Sequence, residues 1–231
     1  MKIMSFNTQH CRNFMEDKID FDLIADTIRK FDCDIVGLNE IRGEGVHPEY
    51  TAQVETLKEK TGYPYCFFAK AIDIPGGGPY GNGFLSKIPM KSVEVIPLPI
   101  PEVKKYNGYY EPRCILKAVL EGGYTILIAH FGLNHDEQEF AIENAIKNLS
   151  PDKCILMGDF NLRPDNELLN PLREIMTDTA DFFEQPLLSF PSDNPVKKID
   201  YIFVSRDLKV KSADIPAIIA SDHRPHIAEI E

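Results

Sequence analysis

The stretch Lys153-Cys-Ile-Leu-Met-Gly-Asp-Phe-Asn161 decides how the rest of the chain is read. Its short apolar run, Ile155 to Met157, predicts a buried strand. The run stops on Gly158, and a carboxylate, an aromatic ring and an amide follow as Asp159, Phe160 and Asn161. Ligands in open α/β sheets gather where strands end, so Asp159 and Asn161 are expected at a chemical site rather than in the packing. Being two residues apart, they point to one side if the backbone stays extended. An anionic oxygen beside a neutral one suits a hard cation or an activated water. Taken alone, the same residues also read as an ordinary strand exit with a glycine turn and an Asx-type hydrogen bond.

Working outward, Thr125 to Ala129 is a strand that runs into His130. A helix carrying Phe140, Ile142, Ala145, Ile146 and Leu149 joins it to the quoted stretch. The first part of the chain repeats this unit. Lys2 to Phe6 is a strand running into Asn7, Asp20 or Asp22 caps a helix with Phe21, Ile24, Ala25, Ile28 and Phe31 on one face, and Asp34 to Leu38 runs into Asn39 and Glu40. Two such units predict two similar layered halves packed sheet to sheet, with strand ends converging on one cleft.

Between the units come a helix near 51–61, a strand at 65–69, and strands at 82–86 and 91–96. The glycines of Pro75-Gly-Gly-Gly-Pro79 are not followed by the Gly-Lys-Ser/Thr of a phosphate-cradling loop, and they read as a flexible rim loop. Pro97 to Pro112 holds four prolines together with Lys104, Lys105, Tyr106, Tyr109 and Tyr110, which excludes a central strand. That segment is either a lid or aromatic platform over the substrate, or a plain long hairpin crossing. A strand at 113–120 follows it. Beyond Asn161, Leu168, Leu169, Leu172 and Ile175 mark a short helix, and strands are expected at 198–204, 210–215 and 226–230. Asp200 lies near the start of the first of these, and Asp222 and His223 lead into the last. No linker, charge block or low-complexity segment divides the chain, so residues 1–231 are expected to form a single domain.

The chain has 231 residues, 43% of them hydrophobic and 26% charged, which fits an ordinary soluble globular protein. No apolar run reaches membrane-spanning length or resembles a signal segment, so a cytoplasmic location is expected. The five cysteines are scattered, odd in number and without a C-x-x-C pair. That pattern excludes a disulfide framework or zinc knuckle and predicts free thiols. A net charge of -11 disfavours tight binding of nucleic acid through its phosphates, although it leaves room for local basic patches and for a metal-bridged phosphate ester.

The polar strand-end residues fall within Ser5-Phe-Asn7, Leu38-Asn-Glu40, Gly81-Asn-Gly-Phe-Leu-Ser86, Ala129-His-Phe131, Gly158-Asp-Phe-Asn161, Ile199-Asp-Tyr-Ile202 and Ser221-Asp-His-Arg-Pro225. In this order the set resembles the endonuclease/exonuclease/phosphatase superfamily over nearly the whole chain. That superfamily of magnesium-dependent phosphoesterases includes AP endonucleases, DNase I, bacterial sphingomyelinases and inositol-phosphate 5-phosphatases. The resemblance implies an α/β fold, a four-layer α/β/β/α sandwich of two packed, mostly antiparallel sheets flanked by helices. It implies hydrolysis of a phosphoester by in-line attack of an activated water.

By the same resemblance, Glu40 is the central metal ligand, helped by Asn7, with Asp222 nearby as a further ligand. Oxygen ligands suit Mg²⁺, with Mn²⁺ as a substitute. Asp159 orients or deprotonates the attacking water, and Asn161 holds that water or a phosphate oxygen. His223 bonds a phosphoryl oxygen with Asp200 on its other ring nitrogen, and His130 supplies another donor. Which of Asp159 and His223 is the base stays open. Arg113 and Lys87 are weaker candidates for phosphate contact, with plain surface charge as the other reading. His10, His47, His135 and His226 have no such context and are read as structural.

A histidine at position 130 and the Gly81-Asn-Gly segment look closer to the sphingomyelinase and small-phosphoesterase branches than to AP endonucleases. The first expectation is therefore a phosphodiesterase or phosphatase acting on a small or exposed ester. A DNA nuclease of the AP endonuclease or DNase I type, and a non-catalytic binding module on the same fold, are the alternatives.

Overall fold

A computed structural model describes residues 1–231. Period-2 alternation sorts its strands. In β1 (Lys2–Asn7), Ile3 joins the core between the two sheets, whereas Met4 and Phe6 pack toward the helices. Asn7 therefore continues the face that Ile3 begins, and it arrives at the mouth between the sheets. Short strands β2 (Arg12–Asn13) and β3 (Lys18–Ile19) form a separate ribbon, and α1 (Phe21–Phe31) follows, its first turn capped by the Asp20 carboxylate accepting from Leu23 N at 3.0 Å. Next come β4 (Ile35–Arg42), α2 (Gln53–Thr61), β5 (Tyr65–Asp73), β6 (Pro79–Ser86), β7 (Met90–Leu98), β8 (Arg113–Leu120) and β9 (Thr125–His130). Then follow α3 (His135–Asn148), β10 (Cys154–Asp159), α4 (Asn170–Ile175), β11 (Met176–Asp178), β12 (Asp200–Ser205), β13 (Val210–Asp214) and β14 (His226–Ile230).

One sheet runs β13-β14-β1-β4-β6-β5 and the other β11-β12-β10-β9-β8-β7. Only β1 with β4 and β9 with β10 pair in parallel; each pair is joined by a crossover helix, α1 or α3. The two strand–helix–strand units of the sequence thus sit at corresponding places in the two sheets. Ile3, Ile35 and Phe84 of one sheet meet Ile128, Ile155, Met157 and Ile202 of the other in the central core. Helix α1 covers the outer face of the first sheet through Ile24 and Ile28, and α3 covers the second through Ala141, Ile142 and Ala145. This is the expected four-layer α/β/β/α order.

Several local expectations are corrected. Strand β10 does not stop on Gly158 but runs through it to Asp159, and the glycine serves the close approach of the neighbouring strand, since a Cβ there would lie 1.8 Å from the Ala129 carbonyl oxygen. The Pro75–Pro79 glycines make the tight turn between β5 and β6, and Gly77 and Gly78 pack against Tyr50 and Gly45 rather than forming a free rim. Phe140 and Ile175 lie on their helices as expected, on faces 37% and 45% exposed. Pro97 sits inside β7, which is an edge strand, so the exclusion of a central strand there holds. The 99–112 connection is a hairpin crossing between β7 and β8. It is tied to α3 by Tyr110 Oη donating to Asp136 at 2.9 Å and by Asn134 Nδ2 donating to the Tyr109 carbonyl at 2.8 Å, while Tyr106 and Tyr109 stay exposed. All five cysteines are free thiols, and no helix is long and apolar enough to cross a membrane.

Candidate active site

The alternation that places Asn7 also places the other polar residues. His130 continues the inner face of Ile126 and Ile128, and Asp159 that of Ile155 and Met157. Strand β12 runs the other way, so its first residue, Asp200, lies opposite Asp159. His223, from the segment entering β14, comes between them. Its Nδ1 donates to Asp200 Oδ2 at 2.8 Å and its Nε2 is 3.6 Å from Asp159 Oδ2. All three side chains are at most 4% exposed.

Asp159 is also held from the other sheet. Its Oδ2 accepts from Asn7 Nδ2 at 3.1 Å, and that amide also donates to Glu40 Oε1 at 3.1 Å. Glu40 reaches this position through a β-bulge. One extra residue of β4 lies between the Leu38–Gly83 and Ile41–Gly81 pairs, and Glu40 takes a left-handed φ of 57°. Just before it, buried Asn39 fastens the sheets together. Asn39 Oδ1 accepts from Asp159 N at 2.9 Å, and its Nδ2 donates to the Ala129 carbonyl at 3.1 Å and to Asn82 Oδ1 at 2.8 Å. Asn82 in turn donates to the Cys114 carbonyl at 2.8 Å.

Asn161 does not follow the extended path assumed from sequence. Its φ is 52°, and its N–H donates to Asp159 Oδ1 at 2.9 Å, an Asx-type bond. The turn nevertheless leaves the Asn161 amide nitrogen 3.3 Å from His130 Nε2 and bonded to the Phe131 carbonyl at 3.1 Å. His130 Nδ1 accepts from Arg113 Nη1 at 3.0 Å. A guanidinium can only donate, so the His130 proton resides on Nε2, the nitrogen 3.6 Å from Asp159 Oδ2. Arg113 is itself paired with Glu111 at 2.9 Å and lies beside the Tyr80 ring.

Electrostatics separate these groups into two kinds. Burial alone would lower the His223 pKa, but Asp200 and Asp159 outweigh it and raise the imidazole to about 10, so it stays protonated at neutral pH. Burial and the Arg113 charge push His130 well below its ordinary range, so it is neutral. Burial lifts Asp159 to about 7 against the pull of His223. Glu40 is raised by burial and then by the Asp222 charge, and Asp222 is itself raised by burial.

Asn7, Glu40, His130, Asp159, Asn161, Asp200, Asp222, His223 and Arg113 thus gather at one end of the paired sheets. Lys87 does not. Strand β6 runs antiparallel to β4, which carries Lys87 to the opposite sheet end, where its ammonium pairs with Asp32 at 2.6 Å. His226 is structural as expected, contacting Thr179 Oγ1 and the Asp200 carbonyl. His10, expected to be structural, instead lies with Nε2 3.7 Å from Glu40 Oε2, and burial followed by the Arg42 charge lowers its pKa to about 4. Asn39 and Asn82 were visible in the sequence as strand polar residues, but nothing there marks them as links between sheets.

Such a cluster, at the mouth between two helix-covered sheets, defines a class of protein by fold and by site. The chain belongs to the Endonuclease/Exonuclease/phosphatase family, whose pattern matches residues 4–223. Members of that family are generally hydrolases of phosphoester bonds. No curated protein matches the sequence. Among solved structures, an endonuclease/exonuclease/phosphatase from Beutenbergia cavernae has 20% identity and a TM-score of 0.82, over 100% of this chain and 71% of that one. A mannosyl-6-phosphatase from Bacteroides thetaiotaomicron has 17% identity and a TM-score of 0.79, over 100% and 99% of the two chains. The catalytic domain of human Nocturnin, with a bound sulfate anion, has 17% identity and a TM-score of 0.75, over 100% and 93%. At these identities the likeness is one of fold.

Proposed function

We propose that the protein is a divalent-cation-dependent hydrolase of a small or exposed phosphoester, working by in-line attack of water on phosphorus. The observation that carries this reading is Asp159. It is buried with a protonated imidazole on one side, and on the other an amide that it shares with Glu40.

A phosphate ester resists attack because its oxygens are negative. His223 Nε2–H donates to a phosphoryl oxygen, and Asp200 fixes the ring and favours its charge. His130 Nε2–H is a second donor, held in that tautomer by Arg113. Asp159 accepts the proton of the attacking water, and Asn161 orients that water or a phosphoryl oxygen. As the new P–O bond forms, the ester P–O bond breaks, and the departing alkoxide is protonated from solvent.

The donor set at Glu40 fits a divalent cation. Glu40 Oε2 receives no hydrogen bond, and burial together with the Asp222 charge disfavours the Glu40 carboxylate in a way that a cation would relieve. Glu40, Asn7 and Asp222 would hold Mg²⁺ or Mn²⁺, which would neutralise phosphoryl charge and stabilise the leaving oxygen. The free cysteines fit a reducing compartment, so we place the reaction in the cytoplasm. Because both sheets supply the site, residues 1–231 act as one unit.

Hydrolysis of p-nitrophenyl phosphate, bis(p-nitrophenyl) phosphate and an abasic-site duplex, with Mg²⁺, Mn²⁺ or EDTA, tests the substrate class. EDTA-sensitive turnover of the small esters with an inert duplex is expected. Duplex incision at low enzyme concentration would replace this reading with a nuclease.

A further inference from the structure

The turn after β1 has a feature that the reaction above does not use. Gln9, His10 and Cys11 are three successive non-glycine residues at positive φ, of 46°, 60° and 59°. Left-handed backbone is unfavourable for an L-residue, so the surroundings must over-determine this turn. They do so through named contacts. Gln9 N donates to Asn7 Oδ1 at 3.1 Å, and the Cys11 side chain is fully buried. Gln53, fully buried, donates through Nε2 to the His10 carbonyl at 2.9 Å and accepts from Arg42 N at 2.9 Å. One side chain thus ties the strained turn to the strand segment just past Glu40, which is also left-handed.

The outcome is a particular placement of His10. Its ring meets the Tyr80 ring edge-on at 5.3 Å, and its Nε2 stands 3.7 Å from Glu40 Oε2. That separation is too long for a hydrogen bond. Two donors on one divalent cation, each about 2.0–2.2 Å from it, stand roughly 3.0–3.5 Å apart at right to tetrahedral angles. A shift of a few tenths of an ångström would let both bind one ion. Glu40 Oε2 is the oxygen left free, because Asn7 occupies Oε1.

We propose that His10 Nε2 is a ligand of the cation held at Glu40, making the site one of mixed nitrogen and oxygen donors that selects a first-row transition ion over Mg²⁺. The inference rests on the hydrolase reading for the cation itself. Mg²⁺ prefers oxygen and retained water, whereas an imidazole nitrogen favours ions later in the first-row series. His10 therefore sets which ion the site takes.

The test is binding rather than turnover. Mn²⁺ and Mg²⁺ affinities are measured by titration calorimetry for the full chain and for the His10→Ala and His10→Asn variants. Nitrogen coupling to bound Mn²⁺ is followed by pulsed electron paramagnetic resonance. Asn tolerates left-handed backbone, so His10→Asn keeps the turn if His10→Ala does not fold. The expected result is an imidazole nitrogen coupling in the wild type that disappears in both variants. Mn²⁺ affinity should fall by about 10-fold or more, and Mg²⁺ affinity by less than about 2-fold. Mn²⁺ binding and nitrogen coupling that survive both substitutions, while Glu40→Gln abolishes binding, would overturn the role of His10 alone. A wild type that binds no divalent ion would overturn the hydrolase reading and this inference together.

Discussion

Asp159 and Asp200 are directly opposed residues of neighbouring antiparallel strands, and the His223 imidazole lies between them, 2.8 Å from Asp200 and 3.6 Å from Asp159. Like charges facing each other across a sheet destabilise it. The imidazolium therefore has a folding role as well as the chemical one proposed for it.

His223→Ala should cost about 3–5 kcal/mol at neutral pH, the usual penalty for stranding one side of a buried ion pair. The folded pKa of His223, about 10, lies above its ordinary 6.5. Its contribution is thus complete below about 6.5 and is lost as pH rises through about 10. Urea unfolding of wild type and variant at pH 6.5, 8 and 10 should show the gap closing. A gap that does not change with pH would mean that the ring is neutral.

Asn39 makes three buried hydrogen bonds, one to Asn82 within its own sheet and two across to the other sheet, of which one is to the backbone of Asp159. Asn39→Ala orphans those partners, and roughly 2–4 kcal/mol of stability should go with them. Because Asp159 loses its anchor, kcat should fall under conditions where the variant is still fully folded. Calorimetric unfolding combined with turnover of a small ester separates the two effects. Full activity in a folded variant would show that Asp159 is positioned by the strand alone.

Lys198 is buried with Nζ lacking a hydrogen-bond partner, 3.2 Å from the centroid of the Tyr201 ring. Burial lowers its pKa from 10.5 to about 8. Folding therefore carries the cost of the buried ammonium below about pH 8. Between about 8 and 10.5 the unfolded chain holds the extra proton, so the wild type gains stability as pH rises. Lys198→Met keeps the contact with the ring and should be the more stable protein at pH 7, by up to roughly 3 kcal/mol. Its advantage should shrink toward pH 10 in paired denaturation curves. A less stable Met variant at pH 7 would show that the ammonium is favourably solvated by Asp178 and Asp200.

Most of the site is legible in the sequence because strands alternate. Ile3 fixes the face of Asn7, Ile128 that of His130, and Met157 that of Asp159, once each run is recognised as a strand. The exceptions are local backbone events. The bulge at Glu40 and the left-handed turn at Asn161 break the alternation, yet motif order still located both residues. Lys87 was misplaced because the direction of β6, not its composition, decides which sheet end it reaches. The placement of His10 beside Glu40 was not legible because three left-handed residues at Gln-His-Cys carry none of the glycine or asparagine signals that usually announce such a turn. Asn39 looked like the neighbour of a ligand, and only the packing of two sheets reveals it as their link.

The most direct measurement is hydrolysis of bis(p-nitrophenyl) phosphate and p-nitrophenyl phosphate by wild type, Asp159→Asn and His223→Ala, with Mn²⁺ or Mg²⁺ and again with EDTA. Circular dichroism would confirm that each variant is folded. Wild-type turnover should need the cation, and each substitution should lower kcat by about 10²–10³ or more, as expected for loss of a group acting in the transition state. Turnover that persists in EDTA, or folded Asp159→Asn and His223→Ala proteins with wild-type kcat, would contradict the account.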